Sequence, residues 1–197
     1  MSLPSEYSST SDNQLPILLQ LHGAGSKGDP IELDNGWVHN FIRYKNKKAV
    51  VVNPHTNNGW NYTKLNNLIS HLIALYNVDE KRIYVTGYSM GGRGAFDYGV
   101  VHGNRIAALV PMAGACTFSD SELPGQLIDL PIWAFHNDGD PVVNVYQSQR
   151  IFDILDNYTS IPTPKLTIYG NRNTHSLNSG YGNYNIETLN WMFNQSR

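Results

Sequence analysis

Short runs of aliphatic residues alternate along this chain with longer stretches whose apolar positions recur every three to four residues. The runs at 17–21, 49–53, 83–86, 107–112, 132–135 and 166–169 are apolar almost throughout. That is the signature of strands buried on both faces of a parallel sheet, not of strands with one wet face. Between them, Leu65, Leu68, Ile69, Leu72, Ile73 and Tyr76 recur at helical spacing, and Ile186, Leu189, Met192 and Phe193 do so near the end. Residues 93–101 and 144–157 also read as helices. Strands and helices in alternation predict an α/β fold, a mostly parallel sheet with helices on both faces. No Pro/Gly/Ser-rich linker divides the 197 residues, so residues 1–197 are expected to form a single domain. No internal repeat points to a solenoid or array.

In such a sheet the chemistry collects in loops at the carboxyl ends of the strands. The run ending at Thr86 is followed by Gly87-Tyr88-Ser89-Met90-Gly91-Gly92 and then by a helical stretch. This is G-x-S-x-G in the strand–turn–helix setting that gives the motif its meaning. A serine on a sharp, strained turn needs glycine at 87 and 91, because side chains there would strike the adjoining strand and helix. The helix start beyond it aims N–H groups and a partial positive charge at a developing oxyanion. A phosphate-binding loop would need Gly-Lys-Ser/Thr, and a dinucleotide loop a different glycine spacing near an early strand. The first strand ends in Leu21-His22-Gly23-Ala24-Gly25-Ser26, the loop from which an acyl-transfer site draws its second N–H donor. Ala24 and Met90 are therefore the expected oxyanion-hole N–H donors, with His22 orienting the loop.

A serine nucleophile in this fold takes its partners in the order serine, acid, histidine. Only His136 and His175 lie beyond Met112. His136 precedes the acid candidates, so His175, in the polar loop after the last strand, is the expected base. The acid should leave the strand ending at Phe135, where the chain reads His136-Asn137-Asp138-Gly139-Asp140-Pro141-Val142-Val143. Either Asp138 or Asp140 can hold the imidazole in one tautomer and stabilise the imidazolium.

Composition narrows the function classes. Fourteen basic and sixteen acidic residues leave a net charge of −2, without the clustered Lys/Arg that a phosphate backbone demands, so nucleic acid is not an expected partner. No apolar run approaches the roughly 18–20 residues that cross a bilayer, so no membrane span is expected. The opening residues lack the charged and apolar regions of a signal peptide, and the compartment stays open between cytoplasmic and secreted. The single cysteine, Cys116, leaves no internal disulfide and no multi-cysteine zinc site. It is expected to be a packing thiol. No His/Asp/Glu group has metal-ligand spacing, so neither metal nor cofactor is expected.

Together these motifs resemble the serine esterases of the α/β-hydrolase superfamily, in particular the phospholipase/carboxylesterase and polyhydroxybutyrate-depolymerase-like group that includes feruloyl esterases. The similar stretches are Leu3-Pro4 with Tyr7, residues 21–25, 76–79, 82–92 and 136–143, His175, and residues 191–195. The resemblance implies a pattern close to His-Gly-x-x-Asp-x-x-Val, which aligns His136 with its histidine and Asp140 with the catalytic acid and leaves Asp138 at a variable position. Asn137 stands where that pattern has glycine. The resemblance also implies one or two strands before the Leu-Pro element, so the sheet is expected to lack its first strands.

The expected function is thus a carboxylic ester hydrolase with Ser89, His175 and Asp140 as its triad and a small-molecule ester as its partner. A peptidase or thioesterase on the same triad, or a non-catalytic binding module of this fold, are the alternatives. Trp60, Tyr88 and Gly23 are candidate substrate contacts, with Trp37 and Tyr181 as further aromatic residues of the rim. The inserts at 27–47 and 117–129 are short and polar, so a minimal cap and short, aryl-bearing or carbohydrate esters are expected instead of long-chain lipids.

Overall fold

The computed structural model describes residues 1, 3–4, 7–10, 12–26, 47–159, 162–177 and 185–197. Six strands form one parallel sheet: β1 (Leu15–Leu21), β2 (Val50–Val52), β3 (Val78–Tyr88), β4 (Ala108–Met112), β5 (Trp133–Asn137) and β6 (Lys165–Tyr169), in the order β2-β1-β3-β4-β5-β6. Each coincides with a run picked out by its aliphatic content. The exception in length is β3, which begins five residues before Ile83. Its first pair joins the buried Val78 to Leu15 across a register irregularity, and the polar residues 79–82 that follow separate it from the apolar run.

The two faces of the sheet are apolar for the same reason: both are covered. Along β1, Ile17, Leu19 and Leu21 enter one core cluster and Leu18 the other, as the two-residue period of a strand requires. Helix α1 (Tyr62–Leu75), α2 (Met90–His102) and α3 (Tyr146–Leu155) pack on the first face. Their buried positions follow helical spacing, Leu65, Ile69 and Leu72 on α1 and Ser148, Ile151, Phe152 and Leu155 on α3. Helix α4 (Ile186–Phe193) covers the other face through Leu189 and Met192. Each fully buried aliphatic side chain of this kind stabilises the fold by about 1.5–3 kcal/mol. Asparagine caps start two of the helices, Asn61 accepting from the Lys64 N–H at 2.9 Å and Asn185 from the Thr188 N–H at 2.8 Å, as orphan N–H groups at helix starts require.

The strand order sets the place of the site. The chain leaves β1 to one side to form β2, then crosses back to lay β3 on the other side of β1, so the connections diverge between β1 and β3. A crevice opens at the carboxyl ends of two such strands. Register pairs Leu21 with Gly87, and the loops that follow, 22–26 and 88–90, therefore lie side by side. The insert at 27–47 falls almost wholly outside the described residues, as do Trp37 and Tyr181. The insert at 117–129 is polar in composition yet buries Leu123 and Leu127 completely in the first core cluster, so it belongs to the flank of the sheet. Among the described residues no helix is long and apolar enough to cross a membrane.

Candidate active site

Ser89 sits between the last residue of β3 and the first of α2 with φ 57° and ψ −114°. A residue other than glycine in this region is strained, and surrounding bonds must hold it there. They do so on both sides: the Ser89 N–H donates to the Met112 carbonyl at 2.9 Å and its carbonyl accepts from the Arg93 N–H at 3.0 Å. The flanking glycines are a matter of space. A Cβ on Gly91 would lie 2.0 Å from the Leu21 carbonyl oxygen, and one on Gly87 would lie 2.3 Å from the Gly91 carbonyl oxygen. Both obstacles are backbone and cannot swing away. Gly91→Ala is therefore expected to destabilise the fold by about 3 kcal/mol or more, at or beyond the upper end of ordinary overpacking. The check is the urea midpoint, where an unchanged value would contradict this geometry.

Ser89 ends a line of three side chains. Its hydroxyl lies 2.8 Å from Nε2 of His175, whose Nδ1 lies 2.6 Å from Oδ2 of Asp140. With Asp140 ionised, the imidazole donates from Nδ1 and accepts the serine proton at Nε2. The other carboxylate oxygen, Oδ1, accepts the N–H groups of Val142 at 2.8 Å and Val143 at 2.9 Å. Burial pushes the Asp140 carboxyl up, but these donors, His175 foremost, outweigh it and hold the group below the ordinary carboxylate range. Of the two aspartates that the sequence offered, Asp138 faces elsewhere: it accepts the N–H groups of Asn171 at 2.7 Å and Arg172 at 2.9 Å, tying its loop to the turn after β6. His136 is fully buried behind the acid. Its Nε2 donates to the Val143 carbonyl at 2.9 Å and lies 3.5 Å from Asp140 Oδ2, and its Nδ1 meets the Ser148 hydroxyl at 2.7 Å. Burial lowers its pKa against the opposing pull of Val143 and Asp140, so it is a neutral ring that fixes the acid loop.

Beside the serine, Gly23 lies so close that a Cβ on it would stand 3.6 Å from Cβ of Ser89 and 3.3 Å from the Tyr88 carbonyl oxygen. Ala24 then opens a 3-10 turn and Met90 opens α2, and first residues of helices have N–H groups without an intrahelical acceptor. The loop carrying Gly23 is pinned from behind. His22 donates from Nδ1 to the Gly23 carbonyl at 2.8 Å, accepts the Thr56 N–H at Nε2 at 3.1 Å, and its own carbonyl accepts the Trp60 indole N–H at 3.0 Å.

Trp60, a candidate substrate contact, both packs and lines a cleft. Its indole is bonded to His22 and its stem lies against Gly94, where a Cβ would come within 2.5 Å of it. It also lines a cleft of about 250 Å³ with Asn58, Gly59, Met90, Arg93, Gly94 and Asp97. Tyr88 spends its hydroxyl on the His175 carbonyl at 2.8 Å, leaving only its ring for a substrate. Cys116 is buried, its thiol 3.3 Å from the Asp97 carboxylate, and burial pushes its pKa up to about 12. It stays a protonated thiol. Sequence reasoning missed Asn137, whose amide Nδ2 bonds the carbonyls of Thr174 and Ser176. The visible signal was its place in a position that the similar pattern reserves for glycine.

The fold is that of the α/β-hydrolases, shared with the esterase structures to which this chain is similar. The chain belongs to the dienelactone hydrolase family, whose family model matches residues 42–186. It is 28% identical over 176 residues to the bifunctional acetylxylan esterase/xylanase XynS20E of Neocallimastix patriciarum, an alignment covering 78% of this chain and 25% of that protein. Among solved structures, a thermostable esterase superposes with a TM-score of 0.82 at 27% identity, over 99% of this chain and 58% of the other. The feruloyl esterase module of Clostridium thermocellum, solved with sinapinate, shares the fold with a TM-score of 0.64 at 15% identity, over 88% of this chain and 75% of that one. The chain thus spans a quarter of the curated relative and under two thirds of the thermostable esterase. The resemblance to esterases that the motifs carried holds, with dienelactone hydrolases as the family.

Proposed function

We propose that this chain hydrolyses carboxylic esters through a Ser89–His175–Asp140 triad, acting on short-chain, aryl-acyl or carbohydrate esters. The observation that carries the reading is the unbroken hydrogen-bond line of 2.8 Å and 2.6 Å from Ser89 Oγ through His175 to Asp140. In the first half-reaction His175 Nε2 takes the Ser89 proton as Oγ attacks the ester carbonyl carbon. The N–H groups of Ala24 and Met90 receive the oxyanion. The imidazolium, steadied by ionised Asp140, passes its proton to the leaving alcohol, and an acyl-enzyme ester remains on Ser89. Water, deprotonated by the same ring, then attacks the acyl carbon, and Ser89 leaves with its proton restored and the carboxylic acid released.

Two observations support the substrate class. The cleft beside Met90 is lined mainly by polar groups, with Asn58, Arg93 and Asp97 around one indole. Such a mixture of donors and acceptors beside an aromatic ring suits a hydroxylated or planar group better than an alkyl chain. The relative in Neocallimastix patriciarum is described as an acetylxylan esterase. Each methylene buried in a long acyl groove would add about 0.8 kcal/mol, roughly fourfold in kcat/KM. On p-nitrophenyl esters from acetate to laurate, kcat/KM is expected to peak at short chains, and acetylated sugars and aryl-acyl esters to be substrates. A steady rise to laurate would point to a lipid-type groove and overturn the substrate class. A folded chain that no fluorophosphonate labels would overturn the chemistry.

A further inference from the structure

The loop that carries His175 is held by donors for which the proposed chemistry has no use. Asn137, the last residue of β5 and fully buried, gives both hydrogens of Nδ2 to backbone, one to the Thr174 carbonyl at 2.8 Å and one to the Ser176 carbonyl at 2.9 Å. Tyr88, the last residue of β3, gives its hydroxyl to the carbonyl between them, that of His175, at 2.8 Å. Three consecutive carbonyls are thus taken by side chains from two strands. The Tyr88 ring also lies 5.0 Å from the imidazole. Burial, aided by the charge of Asp140, pushes the phenol up to about 12, so it remains a donor at any pH at which an esterase is assayed.

Packing alone does not account for an amide at 137. Its Oδ1 is buried with no partner among the described residues, an arrangement that costs free energy a hydrocarbon of the same shape would not. The two donor hydrogens are what the amide adds. Turning the amide over would set its oxygen against two carbonyls, so the orientation is fixed by chemistry. The segment held is polar, 171–176, and its first described apolar anchor is Leu177, 1% exposed. Side-chain donors are what set the two peptide planes from which the imidazole hangs. Those planes decide whether one ring can stand 2.8 Å from Ser89 and 2.6 Å from Asp140 together.

We propose that Asn137 and Tyr88 form a donor clamp on the Thr174, His175 and Ser176 carbonyls and are positioning residues for His175. The inference rests on the reading of His175 as the general base. Loss of the clamp misplaces the base and leaves the substrate cleft untouched, so turnover falls while KM holds. Asn137→Asp keeps the volume and replaces the donating Nδ2 with an oxygen that faces both carbonyls, and kcat is expected to fall about 10²-fold, the scale of a 1 Å misplacement. Asn137→Ala, which only removes the donors, should lose less. Tyr88→Phe, which deletes one oxygen, should lose least, again in kcat.

The experiment is steady-state kinetics on the best ester found for the wild type, with rates expressed per folded chain by circular dichroism. His175→Ala is run in parallel. The expected ranking of kcat is wild type, Tyr88→Phe, Asn137→Ala, Asn137→Asp, at constant KM. A packing role predicts the reverse order for the two Asn137 variants, because aspartate fills the space and alanine does not, and that order would overturn the clamp. So would a loss confined to Tm, or a Tyr88→Phe effect confined to KM. Should Asn137→Asp fail to fold, Asn137→Ala and Tyr88→Phe decide between kcat and KM on their own. If His175→Ala retains turnover, the base assignment itself falls. If it is inactive while the other variants keep wild-type kcat, only the clamp falls.

Discussion

Ser89→Ala is expected to lower kcat/KM on any ester the chain hydrolyses by about 10⁴-fold or more, the usual effect of removing a triad nucleophile. Stability should hardly change. The hydroxyl makes one side-chain hydrogen bond, to His175, and the strained backbone at φ 57° is maintained by the Met112 carbonyl and the Arg93 N–H, neither of which the substitution touches. Alanine also meets the same steric penalty as serine at that φ, so no new strain enters. The measurement pairs ester turnover with a thermal melt. A variant that melts like the wild type and still turns over ester would take the nucleophile's role away from Ser89.

Asp140→Asn is expected to reduce kcat by about 10⁴-fold, since an amide neither stabilises the imidazolium nor keeps the imidazole in the required tautomer. Asp138→Asn should do far less, because its carboxylate oxygens accept backbone N–H groups from Asn171 and Arg172, away from His175, and an amide oxygen still accepts one of them. The opposite ranking on one ester would transfer the role. Asp140 also leaves a mark on acid stability. Its pKa in the folded chain is held below the unfolded value of about 3.9. Its stabilising contribution is therefore complete above that value and disappears as pH falls towards the folded-state one. Melts taken from pH 5 downwards should show the wild type losing stability faster than Asp140→Asn.

Much of this molecule was legible because burial on both faces forces strands to be aliphatic. Five of the six strands lie within two residues of their apolar runs. The first half of β3 was not legible, since the polar residues 79–82 separate the buried Val78, which pairs with Leu15, from the apolar run that begins at Ile83. Ser89 was legible through steric demand, as two backbone collisions leave only glycine at 87 and 91. His175 emerged by order along the chain. Asp138 and Asp140 could not be told apart by local sequence alone, for what separates them is which way each carboxylate points. Asn137 was silent in another way: its bonds reach backbone carbonyls 37 and 39 residues away, and any residue type can supply a carbonyl.

The crowded glycines around Ser89 bear on how this chain could diverge. Gly92 and Gly114 approach one another so closely that a Cβ on either would stand within about 3 Å of the other's backbone, which extends the block at 87 and 91 to the loop after β4. A saturation library should therefore show these four columns empty whatever substrate is used for selection, because the barrier is volume and not chemistry. Asn58 and Arg93 reach the same cleft from a loop and from the outer side of a helix. New specificities should be sampled there, so that the reacting centre is inherited as a rigid block while the surface that chooses the ester drifts.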